Sequence, residues 1–125
     1  EEIIHVYNKI KPPYNINQAT QDLALEALDQ VDQVNEMIRI LVAERDMLVP
    51  KLKELPMVVE VYPSDANFLL VKMKDARAVY EFLLRKAIVV RDRSKVSLIE
   101  GCLRITVGTP PENEELLLAL KEFLL

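Results

Sequence analysis

Apolar residues recur at spacings of three and four in the first half of the chain: Val34, Ile38, Leu41, Val42, Leu48, Val49, Leu52 and Leu55. That spacing predicts one apolar stripe along a helix ending near Leu55. Pro50 is expected to kink its last turns, and Pro56 to end it, because proline lacks the amide donor a helix needs. Upstream, Asn17 is placed to cap a helix that starts at Gln18 and runs to about Leu28, with Leu25 and Leu28 on one side. The polar run Asp29 to Gln33 either interrupts the helical stretch or belongs to one continuous helix from Asn17. Glu1 to Ile10 has weak helical character and no N-terminal cap, and Pro12 and Pro13 break it. Residues 1–16 therefore read as a linker or truncated helix leading into a domain over 17–125.

Past Pro56 the period shortens. Val58 to Tyr62 is β-branched and reads as a strand. "PSDAN" has turn chemistry, and Phe68 to Met73 is a second strand. Asp75 caps a helix through about Lys86, with Val79, Phe82 and Leu83 inward. Ile88 to Arg91 and Cys102 to Val107 are two further strands. Thr109 and Glu112 form a capping box with Pro110 at the first helical position of a helix reaching about Phe123. Glu112, Glu114 and Glu115 sit where its dipole favours anions, and Lys121 where it favours cations, so the acidic run reads as a helix start and not a metal site. The order predicts an α+β fold: a small, mostly antiparallel sheet with helices packed on one face, preceded by a long helical segment.

Composition narrows the function classes. The chain has 125 residues, half of them hydrophobic, which suits one core. A net charge of −4 without a Lys/Arg-rich run argues against nucleic acid as a partner. Cys102 is the only cysteine, so no internal disulfide forms, and a reducing cytoplasm fits. His5 is the only histidine, which excludes a zinc site built from His and Cys. No apolar run reaches the ~18 residues of a membrane span, and no signal-peptide pattern opens the chain. With two glycines, Gly101 and Gly108, there is no glycine-rich phosphate loop.

The candidate chemistry is cationic. Alternation along "CLRITV" puts Leu103, Ile105 and Val107 on the face that packs on the helices, and Cys102, Arg104 and Thr106 on the other. If the last two strands pair, Arg91 comes near Arg104. Two cations ~4 Å apart repel by about 1–4 kcal/mol over the dielectric range of a protein surface, and a guanidinium cannot shed its proton. Either a bound anion compensates, or Asp92 and Glu100 serve as acidic neighbours, or the two separate in water. Both roles, anion site and paired structural cation, are open on residue types and spacing alone. Cys102 reads as a small apolar filler and His5 as solvent-facing. Asn67 reads as strand-entry duty and Tyr14 as linker packing.

"VVRDRSKVSLIEGCLRITVGTPPENEELLLALKEF" resembles the C-terminal signature of histidinol-phosphate aminotransferases, which are fold-type I pyridoxal-phosphate enzymes. "YPSDANFLLVKM" and "IKPPYNINQATQDLALEAL" are similar to the same family. The resemblance implies that the chain is the small domain closing a longer enzyme, with residues 1–16 arriving from a large domain. It implies that Arg104 and Arg91 bind the anionic end of the substrate, a phosphate or carboxylate, and that Asn67 stands at a pocket edge. Pyridoxal 5'-phosphate is implied for the parent, held mainly by its large domain through a lysine in a Ser-x-x-Lys context. This sequence contains no such motif, so the fragment by itself is expected to hold no cofactor and transfer no amino groups. A cytoplasmic homodimeric parent acting in histidine biosynthesis, and a self-associating fragment, follow as expectations. A threonine-phosphate decarboxylase, an aromatic aminotransferase or a free-standing anion-binding or interaction module are the alternatives. Ala87 departs from the family, whose members commonly carry glycine there, which puts the helix-to-strand turn in question.

Overall fold

The computed structural model describes residues 2–10 and 16–123. Tyr14 lies outside the described residues. Two units divide the chain, Glu1–Asn35 and Glu36–Leu125.

The first unit holds α1 (Glu2–Ile10), α2 (Gln18–Leu28) and the first turn of α3 (Val31–Lys53). Asn17 caps α2 as its residue type requires, accepting the Thr20 amide at 2.9 Å. Asp29 and Gln30 form a turn whose amides bond back to Glu26 and Ala27. The polar patch therefore interrupts the helical stretch, and does so over two residues. Ile3, Ile4 and Val6 of α1 and Leu23, Leu25 and Leu28 of α2 are exposed.

In the second unit α3 runs through Pro50, and the helical stripe is buried only in its last turns. Leu48 and Leu52 are fully buried, with Leu55 just beyond, and Leu41 and Val49 pack partly. Ile38 and Val42, like Val34 before them, are exposed. Length explains the difference. A helix of 23 residues is about 34 Å long, while the longest strand, six residues, spans about 20 Å.

Four strands follow: β1 (Val58–Val61), β2 (Phe68–Met73), β3 (Arg91–Asp92) and β4 (Cys102–Thr106), with α4 (Ala76–Arg85) between β2 and β3 and α5 (Pro110–Glu122) after β4. The sheet order is β1-β2-β4-β3, and every neighbouring pair is antiparallel. Leu69 opposes Ile105 and Val71 opposes Leu103. These four, with Val61 and Met73, meet Leu48 and Leu52 of α3, Val79 and Leu83 of α4, and Leu116 and Leu120 of α5 in one core. Each fully buried leucine contributes roughly 1.5–3 kcal/mol. The α+β expectation, with helices on one face, describes this unit.

Two local differences have physical causes. The third strand, expected over Ile88 to Arg91, pairs only through Arg91 and Asp92. Ile88 is committed elsewhere. Its amide bonds the Leu83 carbonyl at 2.9 Å while the Ala87 amide bonds Leu84 at 3.0 Å, the two bonds of a Schellman ending. That ending needs a left-handed residue, and Ala87 supplies it with φ 60°. The turn that glycine would make is thus kept by alanine under strain. At α5, the Glu112 carboxylate accepts both the Thr109 amide and its hydroxyl at 2.7 Å, which holds its pKa below the ordinary value.

Asn113, in the first turn of α5, is 1 % exposed. Its amide nitrogen donates to the Gly108 carbonyl at 2.9 Å and to Glu44 of α3 at 2.8 Å, and its oxygen accepts the Gly108 amide at 2.9 Å. One side chain thus ties α3, α5 and the exit of β4 together.

Candidate anion-binding face

Sheet register builds the site. Arg91 lies directly opposite Arg104 on β4, and Leu70 of β2 lies on its other side. The Tyr62 amide bonds the Leu70 carbonyl at 3.0 Å, so Tyr62, Leu70, Arg104 and Arg91 form one row across the sheet. The next row runs through Glu60, Lys72 and Cys102. It ends at Arg93, whose amide donates to the Cys102 carbonyl at 3.0 Å. Because opposed residues in an antiparallel pair share a face, these side chains belong to the surface away from the helices.

Arg104 is half-buried, and its guanidinium carbon stands 4.9 Å from the centroid of the Phe68 ring. That cation–π stacking holds the planar group against the sheet. Its Nε is buried with no hydrogen-bond partner among the described residues. Burial first, then the charges of Arg91 and Arg93, pull its pKa below the ordinary arginine value. The proton stays on all the same, so the shift records an environment short of negative charge.

The acidic neighbours do not supply it. Asp92 accepts the Ser94 amide at 2.8 Å and an Arg77 nitrogen at 3.4 Å. Ser94, and after it Arg77, holds the Asp92 carboxyl below its usual range. Glu100 accepts the Leu98 amide at 3.2 Å. Among the described residues the ion pairs are Arg39–Glu36, Arg45–Asp46, Arg77–Glu81, Arg77–Asp92 and Lys86–Glu122. None includes Arg91, Arg93 or Arg104. A buried cationic donor without a partner is uncommon in folded proteins, and here three arginines converge on one stretch of sheet. The arrangement suits an anion with several acceptor oxygens, which a guanidinium fork binds in bidentate fashion.

The other sequence candidates fall as follows. Asn67 is exposed at the entrance to β2, and its carbonyl accepts the Val107 amide at 2.9 Å. It extends the ladder one step beyond the Phe68–Thr106 pair, opposite Val107, so alternation puts it on the other face from Phe68 and Arg104. Cys102 is fully buried, and burial pushes its thiol up, which suits a filler and not a nucleophile. His5 is exposed on α1. Among the described residues no group of three or more His, Cys, Asp or Glu could hold a metal ion.

Sequence reading missed Arg93, Phe68 and Tyr62. The signal for Arg93 was present: in "VRDR" the two arginines are two apart, which puts both on one face of an extended chain. The Tyr62 phenol is pushed up by burial and then by Glu60. A concavity of about 460 Å³ lies between residues 87–90 and the start of α5, bordered by Thr106, Glu112 and Asn113; its lining includes none of the three arginines.

Comparison with known proteins places the chain in a family and a fold. The pattern of the family Aminotransferase class I and II matches residues 1–120. A histidinol-phosphate aminotransferase from Cytophaga hutchinsonii is 51% identical over 123 residues, covering 98% of this chain and 35% of that protein. One from Parabacteroides distasonis is 52% identical over 120 residues, covering 96% and 35%. The chain thus spans about 35% of the length of the curated relatives it matches. Among solved structures, the histidinol-phosphate aminotransferase from Clostridium acetobutylicum superposes with a TM-score of 0.78 at 24% identity, over 98% of this chain and 37% of that one. The L-threonine-O-3-phosphate decarboxylase from Porphyromonas gingivalis gives 0.59 at 29% identity, over 73% and 28%. No described helix is long and apolar enough to cross a membrane.

Proposed function

The chain belongs to the class I and II aminotransferase family, and from that premise we propose that it is the substrate-anion-binding part of a histidinol-phosphate aminotransferase. The parent exchanges an amino group between histidinol phosphate and 2-oxoglutarate in histidine biosynthesis, as a cytoplasmic homodimer. The observation that carries the reading is the Arg91–Arg104 pair, opposed in register and without a carboxylate among the described residues. Relatives at 51% and 52% identity that bear this name support the choice of substrate.

Arg104 holds the phosphate or carboxylate through its fork, with its guanidinium stacked on Phe68. Arg91 closes on the same group from the neighbouring strand. Fixing the anion fixes the distance to the reacting amine at the other end of the substrate. Positioning of this kind supplies several kcal/mol of a barrier. When bound, pyridoxal phosphate supplies the electron sink that lets an amine and a carbonyl trade places. This chain has no Ser-x-x-Lys anchor for it, so the cofactor belongs with the remaining two thirds of the parent. These residues contribute the anion contacts alone, and the isolated chain is inactive.

A second reading is a phosphate-substrate decarboxylase, supported by the likeness to the Porphyromonas gingivalis enzyme. Assay of the full-length parent decides between the two. Amino transfer from histidinol phosphate is expected. Turnover of threonine phosphate with release of carbon dioxide, and none of histidinol phosphate, would replace the first reading with the second.

A further inference from the structure

We propose that Arg93 is a specificity-determining residue, a third guanidinium that tunes this face to a doubly charged phosphoryl group over a singly charged carboxylate. The proposal rests on the anion-binding reading of Arg91 and Arg104 and goes beyond it. Arg93 stands one row from the Arg91–Arg104 pair, opposite Cys102, with its amide in the ladder at 3.0 Å. The residue is half-buried against the sheet. It has no ion pair among the described residues, since Asp92 turns to Arg77 and Glu100 to the Leu98 amide. Its charge is felt at Arg104, after that of Arg91.

Two guanidinium groups carry two positive charges, enough to offset one doubly charged phosphate and more than enough for one carboxylate. Adding a third raises the field at the site for every anion, but attraction scales with the ligand's charge. A phosphate monoester carries ≈ −1.5 to −2 at neutral pH and three acceptor oxygens. A carboxylate carries one charge and two oxygens, which Arg104 alone satisfies in bidentate fashion. The third cation therefore widens the gap between the two ligand types. Gly101, with φ 74°, and the bond from its amide to the Ser94 carbonyl at 3.1 Å close the loop directly after Arg93, which keeps the residue at the sheet.

The test uses the full-length, cofactor-loaded parent and its Arg93→Gln and Arg93→Lys variants. Each half-reaction is measured separately, with histidinol phosphate and with glutamate, and inorganic phosphate is titrated by calorimetry. Arg93→Gln is expected to lower kcat/KM for histidinol phosphate about tenfold more than for glutamate. It is also expected to weaken inorganic phosphate about tenfold, with Arg93→Lys recovering most of both losses. Equal factors for the two substrates, or an unchanged phosphate dissociation constant, would overturn the proposal. If the wild-type parent turns over no histidinol phosphate, the substrate assignment fails, and the phosphate titration still decides the role of Arg93.

Discussion

Asn113 offers the sharpest structural perturbation, because its three hydrogen bonds can be removed together or selectively. Asn113→Ala deletes two bonds to the Gly108 backbone and one to the Glu44 carboxylate. A neutral bond is worth about 0.5–1.5 kcal/mol net and a bond to a charged group about 1.5–3. The bonds are not additive and Glu44, half-buried, can turn to water, so the loss is expected near the lower end, at about 3 kcal/mol. With a urea m-value of about 1.5 kcal/mol/M, the midpoint drops by ~2 M. Asn113→Asp keeps the acceptor for the Gly108 amide but sets a second carboxyl against Glu44, at an atom position 2.8 Å from it. Two carboxylates that close cannot both ionise freely, so one folded-state pKa rises. A raised pKa gives stability that is present at pH below the unfolded value and lost as pH rises through the folded one. The Asp variant should therefore approach the wild type at pH 4.5 and fall away by pH 8, whereas the Ala deficit shows no such trend. Urea unfolding followed by circular dichroism at both pH values reads this directly. A loss under 1 kcal/mol for Asn113→Ala, or a deficit for Asn113→Asp that ignores pH, would refute the clasp.

Ala87→Gly should stabilise the chain by about 0.5–1 kcal/mol, the relief of a left-handed alanine less the extra freedom glycine has when unfolded; an unchanged or lower melting temperature would count against the strained turn. Gly108→Ala should destabilise by about 1–3 kcal/mol, because a Cβ there meets the Glu112 side chain at 2.9–3.0 Å and disturbs its grip on Thr109. Asp92→Asn should lower stability at neutral pH and not in acid. The depressed carboxyl contributes above its unfolded pKa and loses that contribution as pH falls through the folded one. A wild-type minus variant difference that persists at pH 2 would contradict it.

Much of the fold was legible because it follows from short-range rules. Asn17 and Asp75 start helices where their side chains take orphan amides, Thr109 starts one where the Glu112 carboxylate takes its amide, and Leu103 and Ile105 alternate into the core as strand geometry demands. Arg91 was expected near Arg104 only if the last two strands paired; the pairing and its register, which set the two directly opposite, come from the structure. What escaped depended on the distance over which elements overlap. Ile38 and Val42 obey the helical period and are exposed, since nothing in their spacing says where the sheet stops. Ile88 looks like strand and serves instead as the last partner of α4. Asp92 was a plausible mate for Arg104 by sequence neighbourhood, yet alternation sends it to the other face, where Arg77 meets it. Arg93 was legible in the two-residue spacing from Arg91, but its place level with Cys102, one row from Arg104, comes only from the ladder. The roles of the arginines came from family resemblance; their lack of carboxylate partners came from the coordinates.

Steady-state kinetics of the cofactor-loaded parent and its Arg104→Ala variant, with histidinol phosphate as donor, bear most directly on whether this face waits for a substrate anion. Two charge-assisted bonds of about 1.5–3 kcal/mol each imply a fall in kcat/KM of roughly 10²- to 10⁴-fold, with cofactor absorbance unchanged. A fall of less than about threefold would mean that Arg104 is a structural cation and that the substrate is held elsewhere.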